Sequence, residues 1–249
     1  MSLLKKSGVG LSNRTVERFL KTEGLKYLKI KREIQLSDRH KTERKGICRD
    51  WLMNGTSSKK VAFTDESRFN LDGPDSQMSW QHSKNRMKRP RRQQGGGGIM
   101  ILGMLMLSGQ LNCYEVQGII NSAKYIKLLS DFALPLISYE LGNDWLPQQD
   151  NAPAHTSAAT QLFLEAKLVE LLGWPALSPD LNVIENVWHF LANMMYRDGA
   201  AHNIVDLREK IQRAVTQFNT NPTAGINIYQ SFGRRIMECY DSDGAKVHG

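Results

Sequence analysis

Three short apolar runs lie close together in the chain: Val61-Ala62-Phe63-Thr64, Ile99–Leu107 and Leu111–Val116. Short apolar runs bounded by turn residues read as buried strands rather than helices. Ser108-Gly109-Gln110 forms the turn between the last two, and Gly95–Gly98 leads into the second. Past residue 120 the pattern changes. Ser122 reads as the cap of a helix through about Tyr139, and Trp145–Gln149 as a short strand ending at Asp150. Ala158–Ala166 reads as a helix and Val169–Leu172 as a strand. Val183–Tyr196, Ile204–Phe218 and Thr223–Tyr240 read as helices. Strands first, then strand and helix in alternation, predict an α/β domain: a mixed sheet flanked by helices. With 41% hydrophobic residues in 249, the chain can bury a sizeable core.

The N-terminal part is different. Ser12-Asn13-Arg14-Thr15 opens a short helix with Val16, Phe19 and Leu20 on one face and Gly24 closing it. Leu3, Leu4 and a Ser7–Gly10 turn precede it, which gives the outline of the second half of a helix-turn-helix. Lys26–Arg32 reads as a basic linker, Ser37 as the cap of a polar helix to about Met53, and Asn54–Ser58 as a loop. The expected organisation is therefore 1–58, a partial helix-turn-helix with its linker, and 59–249, the main domain.

Charge follows the same division. The net charge is +8, yet residues 1–60 carry 16 Lys and Arg against 6 Asp and Glu, so the remainder is close to neutral. A concentrated positive arm calls for a polyanion. Ile99–Leu107 is too short to span a bilayer and Met1–Gly10 has no signal-peptide core, so nucleic acid is favoured over a membrane. Cys48, Cys113 and Cys239 are scattered, with no Cys-x-x-Cys, which suggests a reducing compartment and no zinc site. Lys84–Arg92 holds six basic residues and no acid. It reads as a solvated hairpin loop or as a DNA-facing one, and it also has the composition of a nuclear localisation signal.

Three acids stand out by position. Asp65 and Asp150 each follow an apolar strand, and Glu185 lies in a helix after Ser178-Pro179-Asp180. Carboxylates at the ends of buried strands are costly unless paired, and a divalent cation is a suitable partner. Each also has an ordinary reading. Asp65 can end a strand, Asp150 can form an Asx-turn, and Glu185, three residues after Asn182, can be a capping-box glutamate. Trp188 reads as core packing.

The words around these acids are more specific. Phe63-Thr64-Asp65-Glu66-Ser67-Arg68-Phe69, Gln148-Gln149-Asp150-Asn151-Ala152-Pro153-Ala154-His155 and Trp174–Trp188, which contains Ser178-Pro179-Asp180-Leu181-Asn182-Val183-Ile184-Glu185, resemble the catalytic blocks of the Tc/mariner transposases. The 34 residues between Asp150 and Glu185 match the Tc branch. The resemblance implies an RNase H-like fold and a DDE metal triad of Asp65, Asp150 and Glu185 holding two Mg2+ or Mn2+ ions. It implies cut-and-paste cleavage and strand transfer into TA targets, on double-stranded DNA, by a homodimer or higher oligomer in the nucleus. Asn151 and His155 match a motif beside the site. DNA contacts are expected at Arg14, Thr15, Arg18, Lys31, Arg32, Lys84, Arg86, Lys88, Arg89, Arg91 and Arg92. Two departures stand out. Val183 replaces the family's usual proline, and of two expected helix-turn-helix units only part of the second is recognisable. The alternative expectation is therefore a catalytically silent, transposase-derived DNA-binding protein.

Overall fold

A computed structural model describes residues 13–23, 25–29, 35–56, 60–73, 78–82, 97–143 and 145–247. They fall into two compact units, Met1–Glu33 with Pro74–Gly95, and Ile34–Gly73 with Gly96–Gly249.

In the smaller unit, α1 (Asn13–Thr22) precedes β1 (Leu25–Lys29), which pairs antiparallel with β3 (Met78–His82), Tyr27 opposite Trp80. The basic linker expected from Lys26 is thus partly a strand. The Leu-Lys-Tyr-Leu-Lys stretch becomes a strand once a partner is supplied, and that partner lies some fifty residues downstream, out of reach of local pattern.

The larger unit carries a four-stranded sheet in the order β5-β4-β2-β6. β2 (Val61–Asn70) runs antiparallel to β4 (Gly98–Leu105), β4 antiparallel to β5 (Leu111–Val116), and β6 (Leu146–Gln148) parallel to β2. A parallel partner needs a helical crossover. It is supplied by α3 (Ser122–Leu128), a π-helical stretch Leu129–Ala133 and α4 (Leu134–Leu141). Asn121, not Ser122, caps α3 by accepting from the Lys124 amide. The single helix expected to Tyr139 changes its hydrogen bonding at Leu129–Ala133, just before Pro135, whose missing N–H removes an α-type bond.

Side chains alternate across the sheet. Val61, Phe63 and Phe69 share one core with α6 (Ile184–Met195), α7 (Ile204–Asn219), α8 (Pro222–Asp241) and α2 (Asp38–Met53). Ala62 and Met104 face the other, built from α3, α4 and α5 (Ala158–Ala166). Ser37 caps α2 in a capping box with His40. The sequence-based boundary near residue 58 left α2 with the N-terminal arm. Its Cys48 and Trp51 are instead buried in the first core, Trp51 lying 5.5 Å from Phe232 between ring centroids. Sparse apolar residues on a charged helix conceal such docking. The expected strand Val169–Leu172 is not formed. Leu168 takes a left-handed φ of 55°, the Val169 amide returns to Leu164 O to close α5, and only the Leu172 amide bonds to β6, at Pro147 O.

Candidate active site

β2 is one continuous strand, so Asp65 sits in its middle rather than after its end, opposite Gly103 of β4. Polar residues are tolerated there because β6 stops at Gln148, which pairs with Phe63, and leaves the following stretch of that edge uncovered by a strand. The parallel ladder ends with Phe63 opposite Gln148, and Asp65 and Asp150 each follow that last pair by two residues.

Asp65 lies on the sheet face covered by α6. Its Oδ2 accepts a hydrogen bond from Trp188 Nε1 at 2.8 Å. Burial, followed by the negative charge of Glu185, pushes its pKa up from 3.8 to about 8. Glu185 stands in the first turn of α6 and is exposed. Surrounding protein nevertheless raises its pKa, while the Arg235 guanidinium opposes that rise. Glu185 is thus close enough to disfavour the ionisation of Asp65, and ionising both calls for a compensating cation.

Asp150 is held differently. Its Oδ1 accepts from the Ala152 amide at 2.9 Å, the Asx-turn foreseen in the sequence, and also meets His155 Nδ1 at 2.7 Å. His155 is buried, its ring 4.0 Å from that of Tyr125 between centroids, and its Nε2 approaches Glu66 Oε1 at 3.3 Å, an ion-pair distance without hydrogen-bond alignment. Burial alone would lower the imidazole pKa. The bond to Asp150 and the pairing with Glu66 outweigh it and raise it to about 9. The same His155 bond, against burial, holds the Asp150 pKa below its ordinary value. Asn151 Nδ2 donates to Trp174 O, tying this loop to the start of the third block.

The structure therefore brings Asp65 and Glu185 together, while Asp150, two residues past the β2–β6 ladder, has its carboxylate turned onto His155. Among the described residues, no group of three or more His, Cys, Asp or Glu side chains is gathered closely enough to hold a metal ion. The donor set nevertheless fits a hard divalent cation: all three are carboxylates, and the Asp150 side chain is half exposed. Arg14 and Arg18 are exposed on α1, with Thr15 half-buried beside them. Lys31, Arg32, Lys84, Arg86, Lys88, Arg89, Arg91 and Arg92 lie outside the described residues.

Reading Trp188 as core alone missed half its role. It is buried, and it is also the donor to Asp65. The signal was Gly103, where a Cβ would lie 2.2 Å from Trp188 Cη2. A glycine inside a strand marks a close approach. Asn182 was considered only as a cap partner. It is buried, its Nδ2 donates to Thr64 O, and its Oδ1 accepts from the Ile184 amide, so one side chain joins the strand of Asp65 to the helix of Glu185.

A mixed sheet that presents acids from a central strand, the end of its parallel neighbour and a covering helix is the layout of a nuclease acting by metal-assisted phosphoryl transfer. The family model for the DDE superfamily endonucleases matches residues 60–208. The Tc3 transposase of Caenorhabditis elegans is 31% identical over 241 residues, spanning 95% of this chain and 72% of the relative. A solved Mos1 transposase paired-end complex with the left transposon end superposes with a TM-score of 0.70 at 18% identity, covering 99% of this chain and 78% of that one. The catalytic domain of Mos1 mariner transposase gives 0.66 at 17% identity, over 88% and 100%. The likeness to these structures shows the RNase H-like fold. The chain belongs to the Tc/mariner family of DNA transposases, with a DDE endonuclease domain.

Proposed function

We propose that the chain is a catalytically competent cut-and-paste transposase that cleaves transposon-end DNA and joins it to TA targets, with Asp65, Asp150 and Glu185 as metal ligands. The observation that carries this reading is the juxtaposition of a buried Asp65 with Glu185: burial first, and the Glu185 charge second, push the Asp65 pKa up to about 8. Such crowding makes a cation part of the site's electrostatics. Two Mg2+ or Mn2+ ions, when bound, activate the attacking oxygen and stabilise the leaving one. The chain's own groups prepare for this. Trp188 fixes one Asp65 oxygen, and His155 orients Asp150 while drawing compensation from Glu66. The basic residues of α1 and of Lys84–Arg92 supply phosphate contacts, in an assembly of two or more chains on DNA, and the same basic run serves nuclear entry. The organisation is that of a recognition unit drawn from residues 1–33 and 74–95, and an RNase H-like catalytic domain that includes α2.

A second reading, a chain that holds DNA without cutting it, is favoured by the turn of Asp150 onto His155. One experiment separates them. The chain should nick or linearise supercoiled plasmid carrying its transposon ends in Mn2+ and not in EDTA, and Asp150→Asn should abolish cleavage while keeping the circular dichroism spectrum of the folded chain. Undiminished cleavage by that variant removes Asp150 from the chemistry. A parent chain that binds DNA but never cuts it supports the silent reading.

A further inference from the structure

The turn that starts α6 is gripped from both ends of the chain. Asp180 receives a two-pronged bond from Arg44 of α2, Nη1 to Oδ1 at 2.9 Å and Nη2 to Oδ2 at 2.7 Å. Arg44 is fully buried. Its Nη1 also reaches Ser178 Oγ at 2.7 Å, and its Nε and Nη2 reach the carbonyls of Gly244 and Ala245. The Val247 amide donates to the same Asp180 carboxylate. From α8, Arg235, also buried, donates through Nη1 to Asp180 O at 2.8 Å and Asn182 O at 3.4 Å. Its Nε reaches Ser231 Oγ, and its Nη2 has no hydrogen-bond partner among the described residues. The packing is tight: Gly244 has a φ of +76°, and a Cβ there would lie 1.9 Å from Lys41 O.

Two buried guanidinium groups on one turn of five residues exceed what a loop needs. Burying them costs several kcal/mol each before their partners compensate. The turn carries nothing else of comparable consequence except the first turn of α6, where the Glu185 amide bonds back to Asn182 O. Asn182 in turn reaches Thr64, the neighbour of Asp65. Arg44 and Arg235 both lie outside the matched span 60–208.

We propose that Arg235 and Arg44 are positioning residues for the third acid: they lock the Ser178–Asn182 turn and thereby hold Glu185 opposite Asp65. This rests on the reading of Glu185 as a metal ligand. Neither guanidinium touches the reacting atoms. Their role is to set where the carboxylate stands, as groups behind a ligand do, and loss of such support typically weakens metal binding 10–100-fold. The positive charge of Arg235 also counters the burial of Glu185.

The test is a double-mutant cycle in the full chain, read as Mn2+ affinity from the electron paramagnetic resonance signal of free Mn2+, with circular dichroism melts alongside. Arg235→Lys keeps the charge and loses the fork. It should weaken Mn2+ binding about tenfold, and should add no further loss in a Glu185→Gln background. Arg44→Lys is taken through the same cycle, with the same expectation. A lowered melting temperature with unchanged Mn2+ affinity, or equal losses in both backgrounds, shows packing alone and overturns the proposal. If neither lysine variant folds, the clamp is a folding element and the positioning role is rejected. If Glu185→Gln alone leaves Mn2+ binding unchanged, the metal-site reading itself fails, and the clamp falls with it.

Discussion

Asp65→Asn should make the metal-free protein more stable while destroying its metal response. The native Asp65 pKa is about 8 against an ordinary 3.8. Between those values the folded chain retains a proton that the unfolded chain has released, so native stability falls as pH rises from about 4 to about 8 and is flat below. At pH 7.5 the full difference corresponds to ~5 kcal/mol, each pKa unit being ~1.36 kcal/mol. Part of the carboxyl edge remains solvated, so an effective ~2–3 kcal/mol is the better figure. Asparagine has the same shape, bears no charge, and still offers an oxygen to Trp188 Nε1. At ~2–4 °C per kcal/mol for a chain this size, Asp65→Asn should melt about 5–10 °C above the parent in EDTA at pH 7.5. The gap should close as the pH is lowered towards 4. Adding Mn2+ should raise the parent's melting temperature and leave the variant almost unmoved. Differential scanning fluorimetry across pH, with and without Mn2+, reads all three. A variant that melts at or below the parent in EDTA at pH 7.5, or that gains as much from Mn2+, refutes the claim that Asp65 is a strained ligand.

Trp188→Phe retains most of the packing and loses the donor to Asp65 Oδ2. A hydrogen bond to a charged group contributes ~1.5–3 kcal/mol, so the cleavage rate should fall by about 10–100-fold, and a rate within a factor of two of the parent would dismiss the contact. Gly103→Ala drives a methyl group into the indole and should lower stability by ~1–3 kcal/mol in urea unfolding, with Trp188→Phe at the same time relieving most of it, because the clash is with the outer ring that phenylalanine lacks. Neutralising Arg89, Arg91 and Arg92 together should weaken DNA binding about equally for all sequences. The slope of log affinity against log salt should flatten by roughly one per lost phosphate contact, and an unchanged slope would reduce the run to a solvated connection.

Local pattern was enough for the elements whose stabilisation is local. β5, α5 and the helices α6 to α8 match their periodicity closely because their apolar faces and caps lie within one window of sequence. It stopped β2 at Thr64, because Asp65 and Ser67 interrupt the apolar run. Those residues remain in the strand through pairing with β4, a partner some forty residues away. The acids were legible as acids in characteristic words, and His155 as their neighbour. The tether from His155 to both Asp150 and Glu66 was not legible, because Glu66 comes from a strand remote in sequence. Arg44 and Arg235 were invisible for the same reason. A buried arginine has no periodic signature, and Arg44 and Gly244 are 200 residues apart.

The pairing of β1 with β3 has a practical consequence for dissecting this chain. The smaller unit is assembled from segments on both sides of β2, so the polypeptide crosses between units three times. A single proteolytic cut between them cannot release either piece. Removing only the first 33 residues would strip β3 of its partner and leave an unpaired strand edge carrying Met78, Trp80 and the basic run behind it. Exposed edges of that kind recruit other chains and aggregate. A minimal catalytic fragment therefore has to begin near Ile34 and also replace Pro74–Gly95 with a short bridge from Gly73 to Gly96. Solubility of the two trimmed forms, measured side by side, would show the difference directly.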